Sequence, residues 1–343
     1  MKKAIVLLAA ALLVLGSALP LAGYWLAGAL TGVFAPAPAG SAPSSAAASS
    51  QAAQPAEPGA LPPAEPQEQV LLRDSESGQD FTLSVRDYLI GAVAAEMPVS
   101  WPDEALKAQA VACHSYILYC RDHRIDAEGP WLTVDPARRQ GCLTDPVLRS
   151  YWGTAYEANY ARLSALVDQV AGAVLYYDGA PAGASYFAIS NGQTEASENV
   201  WGAALPYLRA VDSSSDRAAQ NYEVTVTLSA EQVSGALASS LGISTEGIDP
   251  AAWFGTASYT PSGYVASLPV CGQTVTGANL RSALGLRSAC FSIQWDGGAF
   301  AFTTRGYGHG VGLSQWGAKA MAEQGKSWIE ILALYFPGTT LEG

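Results

Sequence analysis

Four places in this chain of 343 residues carry side chains whose types and spacing suit chemistry. The first is a glutamate at a helix end. Ser84 followed by Asp87 marks a helix start, with the serine as cap and an acid three residues on. The helix should run to about Met97, where Pro98 stops it. Its apolar stripe is Val85, Leu89, Ala92 and Val93, and Glu96 continues that stripe. A carboxylate is thereby placed on the inward side and in the last turn, where the helix dipole disfavours negative charge. Both effects push its pKa up. A carboxyl kept protonated near neutral pH is what general-acid chemistry on a glycosidic oxygen needs. The same pattern also fits a glutamate at the rim of the stripe, reaching solvent or Lys107.

The second place is the helix that follows. Ser100 or Trp101 should cap it, with Pro102 at its first position and Asp103 and Glu104 in its first turn. Leu106, Gln109, Ala110, Cys113, Ile117 and Cys120 form one face; Lys107, Val111, His114 and Leu118 form another. Lys107 and His114 point the same way and could line a groove, although a solvated lysine and a satisfied histidine are the ordinary reading. The third place follows an expected hairpin, Val174–Tyr177 and Ala184–Ile189, joined through Asp178-Gly179. It runs into Ser190-Asn191-Gly192-Gln193-Thr194-Glu195, with Trp201 close behind. Polar hydrogen-bonding groups beside aromatics suit a sugar, and also suit an ordinary loop. The fourth is Arg305-Gly306-Tyr307-Gly308-His309-Gly310-Val311-Gly312-Leu313-Ser314-Gln315-Trp316-Gly317. Glycine at every second position opens the backbone to close approach by a ligand or another strand. His309 is the one side chain there able to exchange a proton near neutral pH. Ser314 should cap a helix through Gln324, and Ser327 with Glu330 forms a capping box for the last helix.

These motifs need a scaffold, and the composition bounds it. The chain is 49% hydrophobic and 14% charged, enough apolar residues for a packed core. Its net charge of −12 argues against a surface built for nucleic acid. There is no phosphate loop and no Gly-x-Ser-x-Gly nucleophile turn. Five cysteines with no Cys-x-x-Cys pair argue against a structural zinc site. Cys113 and Cys120 are too far apart on one helix to bridge. Cys271 and Cys290 are the better candidate pair, with five buried thiols as the alternative.

Three regions are expected. Residues 1–34 hold Lys2 and Lys3 and a long apolar run, read as a membrane anchor with the N-terminus inside; a cleaved signal peptide is the alternative. Residues 35–69, rich in Pro, Ala and Ser, form a spacer. Residues 70–343 form a globular α+β domain, helices packed on antiparallel strands, with 222–300 as a β-rich subdomain or insertion.

The chain resembles the stage II sporulation protein D family, which includes amidase-enhancer proteins. Four stretches carry the resemblance: Asp87-Tyr88-Leu89 through Glu96-Met97-Pro98 to Ala112; Tyr186 through Glu195 with Val200-Trp201-Gly202; Leu280 through Ser288; and the glycine–histidine block through Ala318. The resemblance implies a lytic transglycosylase of the bacterial cell wall, acting in sporulation engulfment on glycan strands stripped of stem peptides. It implies Glu96 as the catalytic acid, and Lys107, His114, Tyr186, Ser190, His309 and Gln315 as substrate-binding residues. A single carboxylate suffices when the sugar's own C6 hydroxyl closes an anhydro ring, whereas hydrolysis needs a flanking pair. Lys107 and Arg305 would meet the lactyl carboxylates of the glycan. The implied partners are peptidoglycan glycan strands, a stem-peptide amidase and other membrane-anchored engulfment proteins; the implied location is the cell membrane, with the domain outside.

Two departures stand out. Relatives commonly have Ala-Arg-Thr-Tyr where this chain has Cys113-His114-Ser115-Tyr116, so a permanent cation becomes titratable. Some relatives hold zinc through a His-Cys pair in the stretch that here reads Arg138-Arg139-Gln140-Gly141-Cys142, so neither metal nor cofactor is expected. The rival reading is a non-cutting, glycan-gripping amidase enhancer that activates a partner hydrolase.

Overall fold

The computed structural model describes residues 69–343. The expected anchor and nearly all of the expected spacer lie outside the described residues. Gln69, assigned to the spacer, opens the first strand.

Strands β1 (Gln69–Asp74) and β2 (Asp80–Ser84) form an antiparallel hairpin that leads straight into helix α1 (Val85–Glu96). Ser84 caps α1 as expected, its hydroxyl accepting from the Asp87 amide at 3.0 Å, and Met97 ends it. Helix α2 (Asp103–Asp122) starts one residue later than expected: Pro102 itself is the cap position, with no side-chain cap. Arg162 instead ties this turn down, donating to the Val99 and Trp101 carbonyls and to Asp103.

Helix α2 lies at the centre of the larger apolar cluster. It packs against α1 and, from later in the chain, against helices 156–170, 315–323 and 328–335. From Ala105 to Cys120 every residue but Lys107 is buried. Four small alanines in that stretch, Ala105, Ala108, Ala110 and Ala112, let so many neighbours approach one helix. Strand β3 (Leu132–Val134) then pairs parallel to β1. Helices α3 (Asp145–Trp152) and α4 (Tyr156–Val170) follow, both absent from the sequence expectations.

Strand β4 (Val174–Tyr177) turns through Asp178 and Gly179, both at positive φ, as a tight hairpin turn requires. Its partner is the short β5 (Ala180–Pro181), not the expected 184–189 segment. That segment forms β6 (Tyr186–Phe187), which pairs parallel with a strand far along the chain. A two-residue turn reaches only the nearest residues, so the hairpin closes early. The short helix α5 (Ser197–Trp201) comes next.

The region expected to be β-rich contains strands and two helices. Strand β7 (Glu223–Ser229) ends in a capping box, Ser229 with Gln232, that starts α6 (Ala230–Leu241). Strands β8 (Ser258–Tyr259), β9 (Val265–Val270) and β10 (Gln273–Thr276) form one antiparallel sheet, followed by α7 (Gly277–Leu284). Strands β11 (Phe291–Trp295) and β12 (Ala299–Arg305) complete a second with β7, in the order β11-β12-β7. Strand β13 (Leu313–Ser314), helices α8 (Gln315–Glu323) and α9 (Trp328–Tyr335), and strand β14 (Thr340–Glu342) return the chain to the first half. Strand β13 is the parallel partner of β6, and β14 pairs antiparallel with β4. The fold is thus mixed α+β with several small sheets.

Buried apolar residues form two clusters. One surrounds α2; the other lies between the β7, β9, β11 and β12 strands and helices α6 and α7. All five cysteines are free, including Cys271 and Cys290, so the expected disulfide candidate is not formed. Among the described residues, no helix is long and apolar enough to cross a membrane.

Candidate active site

Glu96 is the last residue of α1, and Met97 behind it is buried. Burial pushes its carboxyl up to about 7, while a hydrogen bond from Gln315 pulls the other way. That bond runs from Gln315 Nε2 to Glu96 Oε2 at 3.1 Å. Gln315 is the first residue of α8, so it comes from a segment 219 residues distant in sequence. Its amide also lies 3.5 Å from Gln109 Oε1 on α2. Gln109 is fully buried and donates to the Cys113 thiol at 3.3 Å, one turn on. Cys113 in turn bonds the side chain of Tyr186, a buried phenol whose electrostatic neighbours include Glu96. Glu96, Gln315, Gln109, Cys113 and Tyr186 therefore form one connected polar cluster in an otherwise apolar core.

Aromatic rings flank it. Trp101, just past the Glu96-Met97-Pro98 turn, meets Trp316 edge-on with centroids 5.9 Å apart. Lys319 caps the Trp316 ring at 4.7 Å.

The glycine–histidine block lies along the 185–195 segment. Tyr307 exchanges backbone hydrogen bonds with Ile189, Leu313 N donates to Ser185 O at 3.0 Å, and Glu195 N donates to Gly310 O at 2.7 Å. The close approach anticipated from the glycines is therefore to another strand. At Gly312 (φ 83°) a Cβ would collide with the Ser185 carbonyl oxygen, and at Gly310 (φ 87°) it would sit 2.8 Å from the Tyr264 hydroxyl.

His309 does not play the proton-exchanging part its sequence context suggested. Its Nδ1 accepts from the Val311 amide at 3.1 Å, so Nε2 carries the hydrogen, facing the Tyr186 carbonyl oxygen at 3.1 Å. Burial, with the Arg281 charge adding, lowers its pKa to about 3. The ring is a neutral clamp between the glycine block and β6, packed against Trp201 (centroids 5.3 Å apart) and Phe187 (5.6 Å).

Ser190 is fully buried, and its hydroxyl accepts from the Gly192 amide at 3.0 Å. Its own amide donates to Asp216 Oδ2 at 2.7 Å. The same oxygen accepts from Ser213 and from Ser314, the cap of α8. Burial raises the Asp216 pKa, and its Oδ1 has no partner. Asp216 thus holds the turn of Ser190 and the start of the Gln315 helix on one carboxylate, a role no local pattern announced.

Lys107 is drawn to Glu104 at 2.8 Å, and Glu104 also accepts from the Trp328 amide at the start of α9. His114 is buried, with Nδ1 3.2 Å from the Ala173 carbonyl just before β4. Facing an acceptor, that nitrogen carries the hydrogen. The structure thus gathers Glu96, Gln315 and Tyr186 directly, links His309 to Tyr186 and Ser190 to the Gln315 helix, and commits Lys107 to an ion pair. Gln109 and Cys113 were placed on one helix face by sequence but not singled out; their spacing of four was the available signal. No group of three or more metal-ligating side chains gathers among the described residues.

Residues 77–177 match the family model described as Stage II sporulation protein. Over 261 residues the chain is 36% identical to Stage II sporulation protein D of Bacillus subtilis, covering 76% of this chain and 74% of that one. The chain belongs to the stage II sporulation protein D family. Stage II sporulation protein D of Bacillus amyloliquefaciens matches at the same identity and coverage. The family likeness extends to the Amidase enhancer of Bacillus subtilis, 29% identical over 314 aligned positions, covering 74% of this chain but 40% of that protein. The family model itself spans Glu96, Lys107 and His114, while the longer alignments reach far beyond it.

Proposed function

We propose that this protein is a lytic transglycosylase that cleaves peptide-free peptidoglycan glycan and leaves 1,6-anhydro-muramic ends. The observation that carries this reading is the half-buried Glu96 carboxyl, with a pKa raised to about 7 and a donor amide fixing one oxygen. Protonated Glu96 gives its proton to the glycosidic oxygen as the C1–O bond breaks. The resulting carboxylate then takes the proton of the C6 hydroxyl as that oxygen bonds to C1. One group serves as acid and then as base, and its proton is restored. Gln315 holds the carboxyl in place and favours its charged form, which is the form the second half-reaction needs. Trp101 and Trp316 offer apolar faces for sugar rings beside the acid. Membrane anchoring through residues 1–34 and action in engulfment belong to the same proposal and rest on the sequence and on the relatives' names.

The Amidase enhancer likeness supports a second reading, a glycan-binding protein that activates a stem-peptide amidase without cutting. Incubating full-length protein with peptide-free glycan and analysing the ends by mass spectrometry separates the two. Anhydro ends from the wild type, lost by roughly a thousandfold or more in Glu96→Gln, are expected. No ends from either protein, with equal glycan capture by both, would select the amidase-activating reading.

A further inference from the structure

Peptide-free glycan carries a lactyl carboxylate on each muramic residue, and a protein of net charge −12 must supply cations to hold it. The two cations that sequence singled out are already neutralised: Lys107 by Glu104 and Arg305 by Glu223, each at 2.8 Å. Two arginines near the glycine–histidine block are different. Arg281, on α7, is 6% exposed. Its Nε donates to the carbonyl oxygens of Leu286 and Arg287, both at 3.2 Å. Its two terminal nitrogens make no hydrogen bond among the described residues and are not sealed from solvent. The groups acting on its charge are the phenols of Tyr307 and Tyr264, with no carboxylate among them. Burial lowers its pKa only to about 10, so it stays charged at neutral pH.

Arg287 lies over the Tyr307 ring, 4.3 Å from its centroid. Its Nε is buried without a partner, and its one hydrogen bond is a long one, 3.4 Å to the Asn221 carbonyl. Among the described residues neither arginine enters an ion pair. A buried guanidinium without a carboxylate is costly, and Arg281, bonded to the Arg287 carbonyl, together with the half-buried Arg287 over Tyr307 makes an anion's seat. The seat adjoins the candidate active site: Gly308 N donates to Arg287 O at 2.9 Å, and the Arg281 charge acts on His309, which is bonded to Tyr186.

We propose that Arg281 and Arg287 form a carboxylate subsite that grips the lactyl group of a muramic residue in the bound glycan strand. This rests on the glycan reading given above. The test uses full-length Glu96→Gln protein, so that strands stay uncut, and two ligands: peptide-free glycan, and the same strands with carboxyls converted to neutral amides. At low, fixed salt the parent should bind native strands about tenfold more tightly than amidated ones. Adding Arg287→Gln should shrink that preference to about threefold or less and leave affinity for amidated strands unchanged. Adding Arg305→Gln should leave the preference intact. Equal affinity of the parent for both ligands overturns the subsite and leaves the glycan reading standing. A preference that Arg287→Gln does not narrow overturns its assignment to this pair. Binding to neither ligand overturns the glycan reading and the subsite with it.

Discussion

The two cores of this protein are built on opposite terms. Around α2, apolar packing is interrupted by buried polar groups: Gln109, His114 and Ser115 on that helix, with Glu96 and Gln315 meeting at its side. Between β7, β9, β11 and β12 the buried residues are mainly aromatic and aliphatic, with Thr304 a buried polar residue on β12. Phe300 there packs against Trp253, Phe254 and Trp295 with centroids 4.5–5.4 Å apart. The second core keeps its polar groups, Arg281 and Arg287, at the side nearest the glycine–histidine block. The difference teaches that polar groups are tolerated in different places in the two halves. One core holds a carboxyl off its ordinary pKa at the side of its central helix; the other keeps its guanidinium groups at its margin.

The largest effect expected from this contrast is on the apolar side. Phe300→Ala should cost about 3–5 kcal/mol of stability, as truncation of a fully buried aromatic ring usually does. Calorimetry should show the loss in a lower transition belonging to residues 223–302, with the α2 core melting separately above it. A single, wholly shifted transition would mean the cores unfold as one unit.

On the polar side the sign should reverse. The folded Glu96 pKa, about 7, is raised above its unfolded value, so its cost to folding is absent at acid pH and grows as pH rises through about 7. Glu96→Gln should therefore stabilise the protein at pH 8 by about 1–3 kcal/mol and change little at pH 4. Equal melting shifts at both pH values would show that Glu96 titrates normally, and the contrast between the cores would lose its main support.

The smallest effect sharpens the site itself. The Gln315 amide favours the charged form of Glu96, so Gln315→Leu should raise the Glu96 pKa further. The alkaline limb of kcat/KM on glycan, expected near pH 7 in the wild type, should then move up by about one unit or less. A limb that stays in place would place Gln315 outside the acid's environment.

Sequence alone determined the parts of this protein that depend on neighbours in the chain. Ser84, Ser314 and Ser327 with Glu330 cap the helices they were expected to cap, because a cap bond spans only two or three residues. Glu96 was placed at the end of an apolar stripe by helical spacing, and its raised pKa follows from that burial. The capping box at Ser229 and Gln232 was equally local, and its helix was overlooked beneath the strand pattern around it. Tertiary structure decided everything that needed a distant partner. It gave Tyr186 a parallel strand from residue 313 in place of a hairpin, turned His309 into a neutral clamp, and spent Lys107 and Arg305 on glutamates. It also left Arg281 and Arg287 without a carboxylate. Periodicity records which side of a helix or strand faces inward; it carries no record of which far segment will stand there, and the charge state of a side chain depends on that segment.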